Sequence, residues 1–455
     1  MEFPDRWITD WEINPDYPLL TRANAGEVLP DPCSPLGWTL VFEPGSIAGW
    51  RDAAIHDFCS SLESELAVHH PEVVGHHGGY LYINGTATRI FGVRGPGLTV
   101  EAIDYVYFGE HPDVPAYVPV PWHENAEVTE RMGAWIQGVV LAEDLPELRA
   151  DRDRAEGIRA ARPNLASLPD EALIAHARSL IPEVRALFRR HLAVTAASSI
   201  GPGIVHAVAQ AMGDPTMTMR LIAGVGDVDS AAPSHAMWEL SRLDPESGEF
   251  RAGFAEFVRR FGSRGPNEWD IRSEVWETDP RLALVLIDRM RGTTESPSAR
   301  SNERVADREA LTATVSEALA GDPATQGQFL AGLRSAHLHL QGRERTKTNV
   351  IRVLHEVRMA MRELAERHDY TPSEICMLLE DELDAFANEP DEYRVRLAAR
   401  EQQYLALFEL EPPFIIDGTV PPLGQWARKD RTALPAAQVG DVLTGVPGCP
   451  GTATG

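Results

Sequence analysis

The sequence predicts a mainly α-helical protein with a smaller mixed α/β part at its N-terminal end. From about residue 126 to about residue 410, apolar residues recur three and four positions apart, which is the spacing of amphipathic helices. Before about residue 125 the chain is rich in proline, glycine and aromatic residues. We therefore predict a mixed α/β part over 1–125, a large helical domain over 126–440, and a linker over 441–455.

The first part contains one hairpin-like stretch, GGYLYINGTATRIFGV (78–93). Tyr80 and Tyr82 alternate before Asn84-Gly85, and Ile90 and Phe91 follow. Strand-forming residues on both sides of Asn-Gly are typical of a β-hairpin. We predict a hairpin that turns at Asn84-Gly85.

The helical part contains four segments in which the apolar spacing is clear. They are EVTERMGAWIQGVVLAEDL (127–145), PDEALIAHARSLIPEVRALFRRHLAV (169–194), DREALTATVSEALA (307–320) and VIRVLHEVRMAMRELAERH (350–368). The last has one apolar stripe, formed by Val350, Leu354, Val357, Met361 and Leu364. The stripe predicts a buried helix face.

After about residue 410 the chain becomes irregular, and it closes on GDVLTGVPGCPGTATG (440–455). Repeated glycine and proline in such a run are typical of a linker.

Charge and composition exclude several classes of partner. The net charge is -26, so a nucleic-acid backbone or an anionic membrane surface would repel the molecule. There is no run of eighteen apolar residues, and the acidic, proline-broken N-terminus is unlike a secretory signal. The four cysteines lack C-x-x-C spacing, which favours a reducing compartment. We expect a cytoplasmic protein that binds neither nucleic acid nor membrane.

No motif for a nucleotide or a metal is found. The chain has no G-x-x-x-x-G-K-[ST], no G-x-G-x-x-G after a strand, no G-x-S-x-G and no H-E-x-x-H. We therefore expect neither a cofactor-binding residue nor a metal ligand in this chain.

The stretch FGSRGPNEWD (261–270) places Arg264, Gly265-Pro266, Glu268 and Asp270 within seven positions. One interpretation is structural: Arg264 pairs with Glu268 or Asp270 and fastens the loop to a helix end. The other is functional: Arg264 faces an anion, one carboxylate orients it, and the other contacts a substrate hydroxyl. Ion-pair networks in loops are common, which favours the structural interpretation.

The stretch HLHLQGRERTKTNVIRVLHEVR (337–358) places Arg343 and Lys347 four residues apart. If the helix includes 343–361, both side chains lie on one face, one turn apart. The chain has only two lysines, Lys347 and Lys429, so a lysine is not routine surface here. An anion-binding pair and a solvated helix face are about equally supported.

Three further residues have two interpretations each. His206 stands in the apolar segment SSIGPGIVHAVAQAMG, where a core histidine is favoured over a general base. His337, before the predicted helix, is better interpreted as a hydrogen-bonding residue than as a metal ligand. Trp38 belongs either to the core or to the wall of an apolar ligand pocket.

Several segments resemble the acceptor-binding region of phosphotransferases related to phosphoenolpyruvate synthase, a family that includes rifampicin phosphotransferase and the phenylphosphate and cresyl phosphate synthases. The similar segments are DWEINPDYPLLTRANAGEVLPDPCSPLGWTL (10–40), GGYLYINGTATRIFGVRGPG (78–97), RGPNEWDIRSEVWETDP (264–280), the R-E-x-x-K run at Arg343, Glu344 and Lys347, and the closing GVPGCPGTATG. Their order is more specific than any one of them, and together they span nearly the whole chain.

The resemblance implies an acceptor-binding component of an ATP-dependent, dikinase-type phosphotransferase. In such enzymes an ATP-grasp domain uses ATP and Mg²⁺ to phosphorylate a mobile histidine, which carries the phosphoryl group to the acceptor domain. An ATP-grasp subunit in trans and a phosphohistidine domain are therefore expected partners, and they would hold the ATP and Mg²⁺. A phenol or another small aromatic alcohol is the expected acceptor. A rifamycin-like acceptor and a non-catalytic binding module are the alternatives.

The resemblance also implies roles for residues. Arg343, Lys347 and Arg264 would gather the incoming phosphoryl group. His206, His337, Glu268 and Asp270 are candidates for the base or for contacts with the acceptor, and Trp38 for the wall of its pocket. The choice among these bases stays open.

Overall fold

The fold was obtained as a computed structural model, which describes residues 10–109, 111–224 and 231–429. Among these, eighteen α-helices are present: α1 Ala25–Val28, α2 Ala48–His56, α3 Gly85–Arg94, α4 Val100–Phe108, α5 Ala126–Leu141, α6 Pro146–Ala160, α7 Asp170–Ser179, α8 Ile181–Ala197, α9 Ile200–Ala211, α10 Met217–Ile222, α11 Ala232–Ser241, α12 Gly248–Phe261, α13 Arg281–Arg291, α14 Pro297–Ala318, α15 Pro323–Arg367, α16 Pro372–Ile375, α17 Leu383–Asn388 and α18 Arg394–Leu407. A π-helical segment, Gly37–Ile47, precedes α2. The prediction of a mainly helical fold is confirmed.

Six short strands accompany the helices: β1 Leu19–Thr21, β2 Val74–His77, β3 Tyr80–Asn84, β4 Leu410–Glu411, β5 Ile415–Asp417 and β6 Ala427–Arg428. Four of them form an antiparallel sheet in the order β2-β3-β1-β5. Strand β5 comes from beyond the helices and pairs with β1, where Leu20 faces Ile416. The segment after α18 therefore completes the N-terminal sheet.

A hairpin is present in this part, but its turn lies six residues earlier than predicted, and the predicted second strand with Ile90 and Phe91 is instead helix α3. The hairpin joins β2 to β3 through Gly78 and Gly79, both of which have positive φ, a conformation that glycine adopts without strain. Asn84 instead begins α3, because its side chain accepts a hydrogen bond from the Ala87 amide at 2.9 Å. An asparagine before glycine serves a helix N-cap as well as a turn, and here the cap is formed.

Helix α15 is the centre of the helical part, with 45 residues and a length of about 67 Å. It packs against α6, α7, α8 and α9. The predicted stripe, Val350, Leu354, Val357, Met361 and Leu364, is buried. The prediction of a buried helix face is confirmed.

Helices α11, α12 and α13 have a hydrophobic core of their own. Phe250, Phe257 and Phe261 of α12 pack there with Met237 and Ile287. Because α12 is fixed in this small core, its end at Phe261 gives the loop that follows a defined starting point.

One helical stretch of the described chain, Asp170–Ala211, is long and apolar enough to cross a membrane by length and composition. Of its most apolar window, 44% is buried inside the protein. A core helix meets the same criterion, so this stretch does not by itself indicate a membrane span. The predicted linker, 441–455, lies outside the described residues.

Candidate functional site

The candidate site begins with the loop that follows α12. The loop folds back on itself, since the Trp276 amide donates to the Arg264 carbonyl and the Glu277 amide to the Gly262 carbonyl, both at 2.9 Å. Gly265 lies at the closest approach, where a Cβ atom would stand 2.9 Å from Val275 Cα. The glycine is thus required by packing, and it places Arg264 and Glu268 within one tight bend.

Glu268 is the buried centre of this bend, with 7% of its side chain exposed. Its Oε2 accepts hydrogen bonds from Arg264 Nε at 2.8 Å and from the Gly265 amide at 3.1 Å. Its Oε1 lies 3.2 Å from Lys347 Nζ. Arg264 Nη1 also donates to Thr348 Oγ1 at 3.3 Å. Arg264, Glu268, Lys347 and Thr348 are called the Glu268 cluster below.

The cluster forms because α15 presents Lys347 and Thr348 to the loop. Arg343 lies one turn before Lys347 on the same helix, as the sequence predicts. Its side chain is 45% exposed, and its nearest carboxylate is Glu344 at 3.6 Å. The structure thus brings Arg264 and Lys347 together on one carboxylate, with Arg343 more exposed beside them.

Asp270 is buried, and its side chain connects this loop to the N-terminal part of the chain. Its two carboxylate oxygens accept hydrogen bonds from the Ser34 amide and the Ser34 hydroxyl, both at 2.7 Å. One of them also accepts from the Arg272 amide at 2.9 Å. The Asp270 oxygens are thus occupied by Ser34 and Arg272, and of the two pairings in the structural interpretation the one observed is Arg264 with Glu268.

The buried side chain of Arg358, on α15, fixes the backbone of the loop that contains Glu268 and Asp270. Arg358 Nη2 donates to the backbone carbonyls of Glu268 and Asp270, at 2.7 and 3.1 Å. Burial lowers the pKa of Arg358 to about 10, while the charges of Asp270 and Glu268 oppose that shift. The guanidinium remains charged at neutral pH and fixes both carbonyls.

His191 of α8 stands next to the cluster and was not among the residues selected from sequence. Its Nδ1 lies 3.0 Å from Thr346 Oγ1, and the Thr346 hydroxyl donates to the Arg343 carbonyl at 3.0 Å. Thr346 therefore accepts from Nδ1–H, which assigns the lone pair of His191 to Nε2. The ring is flanked by Phe188 and Trp269, with centroids 5.8 and 5.9 Å away.

The surroundings keep His191 neutral. Burial lowers its pKa to about 3, and the positive charges of Lys347 and Arg343 act in the same direction. At neutral pH the ring is therefore an uncharged acceptor beside two cations. Its neighbours in sequence, Arg190 and Leu192, gave no sign of this, because the cations lie about 150 positions further along the chain.

His206 and His337 lie on other parts of the helical domain. His206 is exposed on α9, with Nδ1 3.2 Å from Thr218 Oγ1, so the expected core position is wrong. His337 lies within α15, not before a helix, and its Nε2 is 2.9 Å from the Leu221 carbonyl. Neither contacts the Glu268 cluster.

Trp38 is fully buried in the π-helical segment. It stacks on His76 with ring centroids 3.8 Å apart and packs edge-on against Trp11 at 5.4 Å. Of the two interpretations of Trp38, the core position is the one observed.

Within the described residues, no group of three His, Cys, Asp or Glu side chains is arranged to hold a metal ion.

Residues 241–344 match the family model described as rifampicin phosphotransferase fourth domain. The matched region includes Arg264, Glu268, Asp270 and Arg343 and ends three residues before Lys347, and it covers under a quarter of the chain. No curated protein matches the chain. The match supports a phosphotransferase of the phosphoenolpyruvate-utilising type. It is as consistent with a rifamycin acceptor as with a phenolic one.

Proposed function

We propose that the chain is the acceptor-binding component of a phosphotransferase that moves a phosphoryl group from a phosphohistidine to the hydroxyl of a small acceptor, with a phenol as the leading acceptor class. The observation that carries this proposal is the convergence of Arg264 and Lys347 on Glu268, beside neutral His191. The matched family model supports the reaction class.

Enzymes accelerate phosphoryl transfer mainly by positioning the reactants and by stabilising the charge on the transferred group, and less by covalent catalysis. Lys347 offers a mobile point charge and Arg264 a planar fork, and both are oriented by one buried carboxylate. Arg343, one turn away and more exposed, adds a third positive charge beside the cluster. Together they would hold the oxygens of the transferred group.

A phenolic hydroxyl has a pKa of about 10, so it needs a base or a nearby cation to react at neutral pH. His191 supplies an unprotonated Nε2 that can accept a hydrogen bond from the hydroxyl, and Lys347 supplies the cation that stabilises the developing phenolate. In the proposed step the P–N bond of the donor breaks as an O–P bond forms to the acceptor oxygen. Because the low pKa of His191 makes it a weak base, the hydroxyl proton passes to the leaving donor imidazole, and the step is balanced.

The proposal includes a partner. An ATP-grasp subunit in trans would hold ATP and Mg²⁺, and a phosphohistidine domain would carry the phosphoryl group, in the cytoplasm. This chain contributes the Glu268 cluster and His191 and takes no part in binding ATP.

The direct test mixes the full chain with an ATP-grasp partner, ATP, Mg²⁺ and a panel of phenols, and follows AMP and aryl phosphate. A rifamycin is included in the panel, because the matched model favours it equally. Acceptor-dependent AMP formation with a phenol supports the proposal. Transfer to the rifamycin alone would replace the acceptor class, and no acceptor-dependent AMP with any compound would leave the chain a non-catalytic binding module.

A further inference from the structure

Arg264 and Thr348 also border a large cleft between α6, α12 and α15, with a volume of about 1170 Å³. Pockets for small ligands commonly have about 300–1,000 Å³, so this cleft is wide enough for a ligand of nucleotide size. Seven arginines and three glutamates line it, without lysine or aspartate. Glu356 and Glu268 also pair with the lining residues Arg162 and Arg264, so five carboxylates face seven arginines and the excess is two positive charges. We call it the arginine cleft.

The charge of this cleft is opposite to that of the molecule. The whole chain carries a net charge of -26. A concave surface lined by one sign of charge focuses the field and raises the local concentration of the opposite ion. The arginine cleft is thus a place where a small anion is attracted to a protein that otherwise repels it.

Four of the arginines lie deep in the cleft, with 12 to 22% of their side chains exposed: Arg159, Arg162, Arg264 and Arg352. Carboxylates hold them in place. Arg162 donates to Glu356 from Nε at 2.5 Å and from Nη2 at 2.9 Å, and to Glu277 from Nη1 at 2.7 Å. These guanidinium groups are therefore oriented before any ligand arrives.

One of these guanidinium groups is not fully neutralised by its pairs. Arg159 Nη1 is buried without a hydrogen-bond partner, and its closest ion-pair contact is Glu356 Oε1 at 3.7 Å. Because this atom has almost no exposed surface, it adds positive charge to the wall of the cleft and does not itself contact a ligand.

The rim adds three exposed arginines: Arg152, Arg259 and Arg260. Arg259 pairs only locally with exposed Glu256. Within the described chain no carboxylate pairs with Arg260, whose guanidinium lies 4.9 Å from the Phe261 ring centroid. Arg152 donates to Glu156 at 3.1 Å. A network that only ties elements together accounts for Arg152 and for Arg159, which also donates to the Val258 and Arg259 carbonyls, but it does not account for Arg260.

We infer that the arginine cleft binds a small phosphorylated ligand carrying two or more negative charges. Guanidinium groups bind phosphate oxygens in pairs, and several preorganised groups around one cleft suit a polyanion better than a single carboxylate. The cleft shares Arg264 and Thr348 with the Glu268 cluster, but Arg259 and Arg260 are not part of that cluster, so variants at these two residues test the cleft without changing the proposed transfer residues.

The test uses inorganic pyrophosphate as the probe, titrated calorimetrically into the full chain at about 0.15 M salt, where weak long-range attraction is screened. Inorganic phosphate, benzoate and phenol form the other arms. Pyrophosphate is expected to bind with one site per chain and more tightly than phosphate or benzoate, and phenol is not expected to compete with it.

The decisive variant is R259A/R260A, which should weaken pyrophosphate binding at least about tenfold by removing charge-assisted bonds. The matched control is R185A/R220A, which removes two exposed arginines that do not line the cleft, each paired with a nearby aspartate. The control should change binding less than about twofold, because neither guanidinium borders the ligand site.

Three outcomes would overturn the inference: no saturable pyrophosphate binding, no effect of R259A/R260A, or an equal loss in the control pair. Tighter binding of benzoate than of pyrophosphate would overturn the phosphate class. Failure of phosphoryl transfer with retained pyrophosphate binding would count against the proposed function alone, so the two proposals fail separately.

Discussion

Lys347→Met is the substitution that tests the Glu268 cluster most sharply. It keeps an unbranched side chain of similar length and removes one positive charge. Lys347 Nζ lies 3.2 Å from Glu268 Oε1, while Arg264 Nε stays 2.8 Å from Oε2. Glu268 therefore keeps one cationic partner in the variant.

The two expected magnitudes differ. The Lys347 side chain is 32% exposed, so losing its ion pair should cost only about 1 kcal/mol of folding free energy. Removing a preorganised charge from the developing transition state should cost about 3–4 kcal/mol, which is a fall in transfer rate of about 100- to 1,000-fold. Lys347→Met should thus lower the transfer rate strongly while lowering the free energy of unfolding only slightly.

The assay is single-turnover transfer from a phosphorylated partner to the acceptor, with acceptor affinity measured at equilibrium and stability measured by urea unfolding. The expected result is a large loss of rate with acceptor affinity within about threefold of the parent. The matched control is Lys429→Met, which alters the chain's second lysine and should leave the rate unchanged. A loss of affinity without a loss of rate, or equal losses in both variants, would refute the assigned role of Lys347.

Three further predictions concern His191, Asp270 and Gly265. His191 has a pKa of about 3 in the folded protein, below its ordinary value of 6.5, so the stability it contributes is complete above pH 6.5 and is lost as pH falls toward 3. In His191→Gln the free energy of unfolding in urea should depend less on pH between these values, by up to about 1.4 kcal/mol per pH unit. An unchanged slope would contradict the burial of His191 as a neutral ring. Asp270→Asn should destabilise the fold by about 2–4 kcal/mol, because one Ser34 donor loses its charged acceptor inside the protein. A loss of less than about 0.5 kcal/mol in urea unfolding would be inconsistent with that contact. Gly265→Ala should lower the unfolding midpoint by crowding Val275, while Gly157→Ala, where the added Cβ meets open space, serves as its control and should be neutral or slightly stabilising.

Helix spacing in the sequence was a good guide to the fold, because a long amphipathic pattern is satisfied by one kind of structure. The stripe on α15 and the shared face of Arg343 and Lys347 are confirmed on these grounds. The hairpin was placed wrongly because Asn84-Gly85 suits both a turn and a helix N-cap, and only tertiary packing decides between them.

The candidate site was predicted only in part, for a physical reason. Arg264 and Glu268 are close in sequence, and Lys347 is one of only two lysines, so these three residues could be identified as candidates from the sequence alone. His191 meets Lys347 through the packing of α8 on α15, a contact that no local pattern encodes. For the same reason the sequence does not distinguish His206 and His337 from a histidine at the site, because only tertiary packing places them on other parts of the helical domain.

The hydrogen bonds between Ser34 and Asp270 join residues 236 positions apart, and strand β5 likewise reaches back to β1. Dissecting the gene at the apparent change of character near residue 125 would therefore not release a working helical half. A fragment beginning at residue 126 would strip Asp270 of both serine donors and would leave β5 without the strand it pairs with. Expression trials should keep both ends of the described chain together, and a split version should recover its fold only when the two pieces are supplied as a complementing pair.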